Sequence, residues 1–371
     1  MKALSRAMRK ADLSGTGAAE RERGRDAEGG IVATPSATAT LGPGGPGGGV
    51  KMNINIFRGR RMAAAIALLM LACGTPSHAC CANLWVSVTS GSGGGIESYT
   101  PGQLARSGPA TPIHLSTFDS ATGIAFDDSH NLWAVVGGDE VVRFTAAQLK
   151  NLEHDPNPVP GVIIKSSFMF SSLYGCGFDP EGNLWVVDAE RGSINELAAG
   201  QLAAGSGNVA PAVVITSSDM NGPQFITFDK AGNAWVDSKK GDQIVEFSAD
   251  ELTRSGNKSA TILLSDDGGC TNLCSPGEIA FDQKGNLWVP NEDANTVVEY
   301  TKDQLASSGK PSPAVTLNSG ILDAPWGAVF DNSGDLVVMN YSDGTIAKFA
   351  SYQLKASGAP IPEVSVTGSS I

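Results

Sequence analysis

Along most of the chain, short apolar runs alternate with turn-forming residues, and the alternation recurs as a unit. The clearest form reads Phe-Asp-x-x-Gly-Asn-Leu-Trp-Val, at Phe178 to Val186 and Phe281 to Val289. Looser copies run from Phe126 to Ala134, Phe228 to Val236 and Phe330 to Val338, and a half copy, Asn83-Leu84-Trp85-Val86, opens the series. The Asn or Asp before the Leu-Trp pair falls at Asn83, Asn131, Asn183, Asn233, Asn286 and Asp335, so successive units lie 48, 52, 50, 53 and 49 residues apart. A period of that length holds four short strands with their turns, which is one blade of a propeller. The spacing therefore predicts an all-β chain folded as a six-bladed β-propeller over residues 80–371.

Each part of the unit has a local reason. A run such as Gly123-Ile124-Ala125-Phe126 reads as an inner strand, and the small residues Ala125, Gly177, Thr227 and Ala280 suit a crowded axis. In Asp179-Pro180-Glu181-Gly182, Asp, Pro and Gly occupy the positions a type I turn favours. Leu-Trp-Val is aromatic and β-branched, hence a second strand. Trp85, Trp133, Trp185, Trp235 and Trp288 are expected to pack between blades, each burying about 150–250 Å2. The sixth unit has Val337 there, so a looser contact is expected.

A third strand, such as Thr296 to Tyr300, leads into Thr301-Lys302-Asp303-Gln304, a capping box, with Ser308-Gly309 as the exit. Each unit should therefore carry a one-turn helix between its third and fourth strands. The fourth is a Pro-led outer strand, such as Pro211 to Ile215, where Pro blunts the edge. Nothing before Asn83 reads Phe-Asp-x-x-Gly, so the first blade lacks an inner strand of its own unless Gly74 to Cys81 supplies one.

The N-terminal region is of another kind. Residues 1–51 are rich in Ala, Gly, Ser and Arg without apolar period, and read as a disordered extension created by a misassigned start site. From Met52 the pattern changes: Arg58, Arg60 and Arg61 precede the apolar run Met62 to Ala72, and Ser77-His78-Ala79 is a small-residue cleavage site. Residues 52–79 thus read as a signal peptide. The apolar run is too short to span a membrane comfortably, so the mature form has no expected transmembrane span. Leu71-Ala72-Cys73 offers an alternative, processing with a lipid anchor at Cys73. The expectation is an exported protein, periplasmic or extracellular.

Charge narrows the partners. The chain carries 26 basic and 38 acidic residues; residues 1–61 hold 11 and 5 of these, leaving 15 against 33, or −18, for the rest. So acidic a surface repels phosphate backbones, which argues against nucleic acid. Cys270 and Cys274 lie in a Gly-, Asn- and Ser-rich loop, where a local disulfide is plausible in an oxidising compartment. Cys176, inside an inner-strand run, reads as a buried inert thiol.

Candidate chemistry is sparse. His78 falls in the leader, His130 in a turn, His114 on an outer strand and His154 in a Pro-rich outer connection, so no His general base is expected near the axis. Five residues past each repeat Asn or Asp the second strand ends, at Val88, Val136, Asp188, Ser238, Asn291 and Asn340. Around a closed ring these positions gather at one channel mouth. Asp188, Ser238, Asn291 and Asn340 are the binding candidates there, and Asp188, Asn291 and Glu278 could offer oxygens to a hard cation such as calcium. The competing reading is that these side chains cap the strand-ending turns. Asp237 is one residue off this register.

The unit Gly-x-Ala-Phe-Asp-x-x-Gly-Asn-Leu-Trp-Val, followed by Val-Val-Glu-Phe or Val-Val-Glu-Tyr, resembles the NHL-repeat propeller and is similar to the gluconolactonase-like and streptogramin-lyase-like six-bladed propellers, over roughly residues 83–371. The resemblance implies a propeller scaffold. In gluconolactonase-like enzymes it implies a divalent metal held by Glu, Asn and Asp, for which Glu278, Asn291 and Asp188 are the nearest matches. The His and Glu pair of streptogramin lyases has no counterpart, since no His follows His154. The expected function is a non-catalytic binding or scaffold propeller, monomeric, taking a protein or glycan ligand. The alternative is a metal-dependent lactonase-like hydrolase, or a lyase.

Overall fold

The computed structural model describes residues 68–70, 83–88, 94–115, 117–118, 120–166, 170–266 and 268–368. The expected extension 1–51, Cys73 and the cleavage site at Ala79 lie outside the described residues.

Six small sheets form a six-bladed β-propeller. Blade one comprises Leu68–Met70, Leu84–Val88, Gly95–Tyr99 and Ile113–Leu115. Blade two comprises Ala121–Phe126, Leu132–Val136, Glu140–Phe144 and Val162–Lys165. Blade three runs Leu173–Phe178, Leu184–Asp188, Ser193–Leu197 and Val213–Thr216, and blade four Ile226–Phe228, Ala234–Ser238, Gln243–Phe247 and Ile262–Ser265. Blade five runs Ala280–Phe281, Leu287–Asn291, Thr296–Tyr300 and Val315–Leu317, and blade six Pro325–Phe330, Leu336–Asn340, Thr345–Phe349 and Val364–Thr367. In each, the four strands pair antiparallel in chain order from the axis outward. The expected helical turn lies between the third and fourth strands throughout. It is α-helical at Ala146–Lys150 and Ala199–Ala204, and 3-10 at Gln103–Ala105, Glu251–Thr253, Gln304–Ala306 and Gln353–Lys355.

In blades two to five the repeated residues form one polar knot. The Asp of Phe-Asp accepts the N–H and side-chain amide of the repeat Asn, as in Asn183 N and Nδ2 to Asp179 at 2.8 and 2.9 Å. In blades two, three and four the same carboxylate also accepts the indole Nε1–H of Trp133, Trp185 and Trp235, at 2.9, 2.9 and 3.3 Å. The Asn carbonyl in turn accepts the first N–H of the helical turn, as Asn183 does from Ala199 at 3.0 Å. With its N–H satisfied, each indole is buried and its ring meets the Phe of the next blade, edge-on for Trp133 with Phe178 at 6.3 Å and Trp235 with Phe281 at 5.8 Å, and tilted for Trp185 with Phe228. Blade six departs as a set. Val337 replaces Trp, Asp335 replaces Asn, and Lys348 reaches Asp331 at 2.8 Å and Asp335 at 3.0 Å.

Inner strands approach one another too closely for side chains. Gly175 N donates to Gln224 O at 2.7 Å, and a Cβ on Gly175 would lie 2.7 Å from that oxygen. On the outer rim, a Ser-Gly pair after the helical turn of every blade but the second hooks the preceding blade. Ser206, Ser255, Ser308 and Ser357 each accept a backbone N–H from the previous outer strand at 3.0 Å. Ser107 does the same to Ser365 at 3.1 Å, and Gly108–Pro109 pairs parallel with Val366 and Thr367. The first blade thus clasps the last and closes the ring.

The inner position of blade one is filled. Leu68, Leu69 and Met70 pair with Val86, Trp85 and Leu84, the register the other inner strands keep with their second strands. The filling segment lies upstream of Gly74 to Cys81, within the stretch whose sequence reads as a signal peptide.

Candidate functional site at the channel mouth

The second strands all end at one mouth, and the loops that return from the outer strand of one blade to the inner strand of the next converge there. The four sequence candidates sit at these ends, and all are buried to within 1 %. Asp188 accepts Ser171 N at 2.8 Å, Ser171 Oγ at 2.9 Å and Arg191 N at 3.0 Å, with Arg191 Nε at 3.6 Å. Ser238 Oγ accepts Asn221 N at 2.7 Å and donates to Asp219 O at 3.1 Å. Asn291 accepts Cys274 N at 3.1 Å and donates to Asn272 O at 2.9 Å. Asn340 accepts Asp323 N at 3.2 Å and donates to Ile321 O at 2.7 Å. Each side chain thus fastens the returning loop of its own blade, the work that Asp, Asn and Ser do in local turns.

Glu278 is half-buried, and its backbone bridges to Gly327 of blade six. Burial, and then the Glu278 charge, push the Cys176 thiol above its ordinary range, so this free cysteine stays protonated and inert. Asp188 and Asn291 have turned their oxygens into loop N–H groups, so with Glu278 they do not fit a divalent cation as a donor set. Cys270 and Cys274 are disulfide-bonded, with Cα atoms 4.6 Å apart. Among the described residues, the one compact group of three Asp, Glu, His or Cys ligand atoms is Asp242 with these two sulfurs, and bonded sulfurs are not thiolate ligands.

Five further side chains shape the mouth, and sequence reasoning passed over them. Trp326, the one Trp outside the repeat position, lies on the inner strand of blade six. Its ring meets Phe225 of blade four edge-on at 6.0 Å and stacks on Tyr341 at 5.1 Å. Blades four and six are not neighbours, so the Phe225–Trp326 contact crosses the axis. Lys239 of blade four sets its ammonium 3.5 Å from the Trp326 ring centroid and pairs with Glu292 of blade five. Lys239, Glu292 and Tyr341 each stand one residue past a strand-ending position. Just below them is Asp237, whose carboxyl is pushed up to about 7 because burial outweighs two backbone donors and the charge of Lys239.

Beside the mouth, between blades three and four, a cleft of about 530 Å3 is lined by Arg191, Lys240, Asn221, Asn257, Ser217 and Gly222 among others. Gly222 makes room for it: a Cβ there would lie 2.8 Å from Lys240 Cδ, so the lysine stem lies flat along bare backbone.

No family model matches the chain, and no curated protein matches it. Among solved structures it is similar to a streptogramin B lyase (TM-score 0.50, 13% identity, 79% of this chain and 86% of that one). It also aligns with a catalytically inactive virginiamycin B lyase from Staphylococcus aureus with quinupristin (TM-score 0.48, 12% identity, 80% and 84%). A third match is the C-terminal WD40 domain of Sif2 (TM-score 0.46, 8% identity, 83% and 72%). At these identities the likeness is one of fold.

Proposed function

We propose that this protein is an exported, non-catalytic binding propeller whose ligand lies in the cleft between blades three and four. The observation that carries the reading is the lining of that cleft. It combines hydroxyls, side-chain amides and two cationic side chains, Arg191 and Lys240, with one carboxylate, Glu190. Such a surface suits a hydrated, carboxylate-bearing chain, and an acidic glycan fits better than an apolar ligand. The strand-end residues Asp188, Ser238, Asn291 and Asn340 act in this reading as the frame that holds the cleft loops. Export is supported by the leader-like pattern over residues 52–79 and by the Cys270–Cys274 disulfide.

Titration calorimetry against uronic-acid oligosaccharides and their neutral counterparts tests it. The expected outcome is binding of the acidic series, weakened at least about tenfold in R191A/K240A, as loss of two charge-assisted contacts requires. Binding that is indifferent to this double substitution, or seen only with a protein partner, would move the ligand out of the cleft. A lactone panel with added calcium should give no turnover; turnover would overturn the non-catalytic reading.

A further inference from the structure

We infer that the channel mouth is a cage for an organic ammonium group, and that Lys239 occupies it in the ligand-free protein. This site is separate from the interblade cleft and does not depend on what the cleft binds.

Three blades build it. Trp326 supplies the floor, and Tyr341 stacks on it at 5.1 Å with 27° between planes. Phe225 wedges the far edge of the indole at 6.0 Å, so the floor is held from across the axis. Glu292 supplies the negative charge, and it contributes, after burial, to raising the Tyr341 phenol. An aromatic face with one carboxylate beside it is what recognises a protonated or methylated amine: the π face and the anion both favour the cation, and neither demands a directed hydrogen bond. The Lys239 ammonium sits where such a ligand would sit, 3.5 Å from the ring centroid and paired with Glu292. It is an intramolecular cation in a cation site.

Two observations set this apart from an ordinary surface ion pair. Trp326 is 5% exposed, and its indole Nε1 is buried without a hydrogen-bond partner. The five repeat indoles pack against the Phe of the next blade, whereas this one is spent on the mouth. Next, the lid is a single side chain at the rim. Lys239 opens the 3-10 turn Lys239–Gly241 directly after the second strand of blade four, and the Lys239 and Glu292 side chains retain 16% and 18% of their exposure. A four-carbon stem rooted at the rim can swing outward without disturbing a strand. The net charge of −12 also favours approach of a cation.

Lys239 then acts as a tethered competitor. A ligand must displace it, so apparent affinity in the native protein is reduced by the fraction of molecules in which the lysine is seated. Its removal should raise affinity, which a structural clamp would not do.

The test is calorimetry on the full chain with choline, with its neutral isostere 3,3-dimethylbutanol, and with a glycine-flanked trimethyl-lysine peptide. The expected result is that K239A binds choline at least about tenfold more tightly than the native protein, that 3,3-dimethylbutanol does not bind, and that K239A/E292Q loses the gain. The peptide arm reports the source: in K239A, comparable binding of both probes identifies a site for any ammonium, and peptide binding at least about tenfold tighter than choline identifies a protein-borne one. Because K239A could loosen the mouth, K239M, which keeps the stem and packing, is run beside it with thermal unfolding as the folding control. Equal choline binding in native and folded K239A and K239M proteins, or equal binding of the neutral isostere, would overturn the inference.

Discussion

Asp237 shows how one residue changes a blade. Its counterparts are Val135, Val187, Pro290 and Met339, all apolar except for the equivalent Ser87. In blade four the carboxylate oxygen Oδ1 takes the N–H groups of Gln224 and Phe225 at 2.8 and 2.5 Å, so the inner strand begins only at Ile226. This fixes Phe225 against Trp326 and so helps to shape the mouth. Oδ2 is buried without a partner, and the carboxyl is pushed from 3.8 up to about 7, chiefly by burial. The folded state therefore holds a proton that the unfolded chain releases near its ordinary value. The associated stability is fully present below pH 3.8 and is lost as pH rises to about 7, by at most about 4 kcal/mol. D237N keeps an oxygen for both N–H groups and cannot ionise. Its difference from native in urea unfolding should grow in its favour from pH 4 to 7 and then level; a pH-independent difference would refute the assignment. Other acids, Glu246 among them, cancel in that comparison.

At the scale of the element, the repeat turn was readable as a turn, and its second role was not. Asp179, Pro180 and Gly182 announce a turn by local preference, and Gly182 does close it onto Asp179 O at 3.1 Å. That the same carboxylate also holds Trp185 depends on the hairpin placing an indole six residues on beside it. No local propensity encodes such a contact. The mouth was harder still. Lys239, Glu292 and Tyr341 lie one residue outside the repeat frame and come from three blades, and only the out-of-place Trp326 marked it. Blade six makes the knot testable. With Val337 in place of Trp, Lys348 neutralises Asp331 and Asp335. K348M should leave two carboxylates facing each other in a largely buried site and cost about 1–3 kcal/mol in denaturant unfolding. The triple change V337W/D335N/K348E restores the knot of the other blades and should recover most of that loss. A neutral K348M would show that the lysine is not what balances the pair.

For the whole molecule, the question is how a ring made of sequential blades stays shut. On the rim the answer is the Ser107-Gly108-Pro109 hook on Val366 and Thr367. Four internal hooks join blades already joined by the chain, but this one joins residues 258 apart in sequence. At the axis the answer is Leu68–Met70 paired along the second strand of blade one. The two devices differ in a telling way, because the hook belongs to the repeat and the inner strand does not. It comes from the apolar stretch that also reads as a secretory leader, so in the exported protein proposed above one segment would serve both export and completion of blade one. If processing follows Ala79, the strand leaves with the leader and Leu84–Val88 is exposed as an inner edge. Three backbone pairings at about 1 kcal/mol each would then be lost, which at about 2–4 °C per kcal/mol amounts to roughly 6–12 °C in Tm. The form beginning at residue 80 should therefore melt below the form beginning at residue 62. Its excess hydrogen exchange should be confined to blade one and to the inner strands of Ala121–Phe126 and Pro325–Phe330 that flank it. Equal melting points would mean that the ring closes on the rim hook alone, and that the pairing at Leu68–Met70 carries no share of its stability.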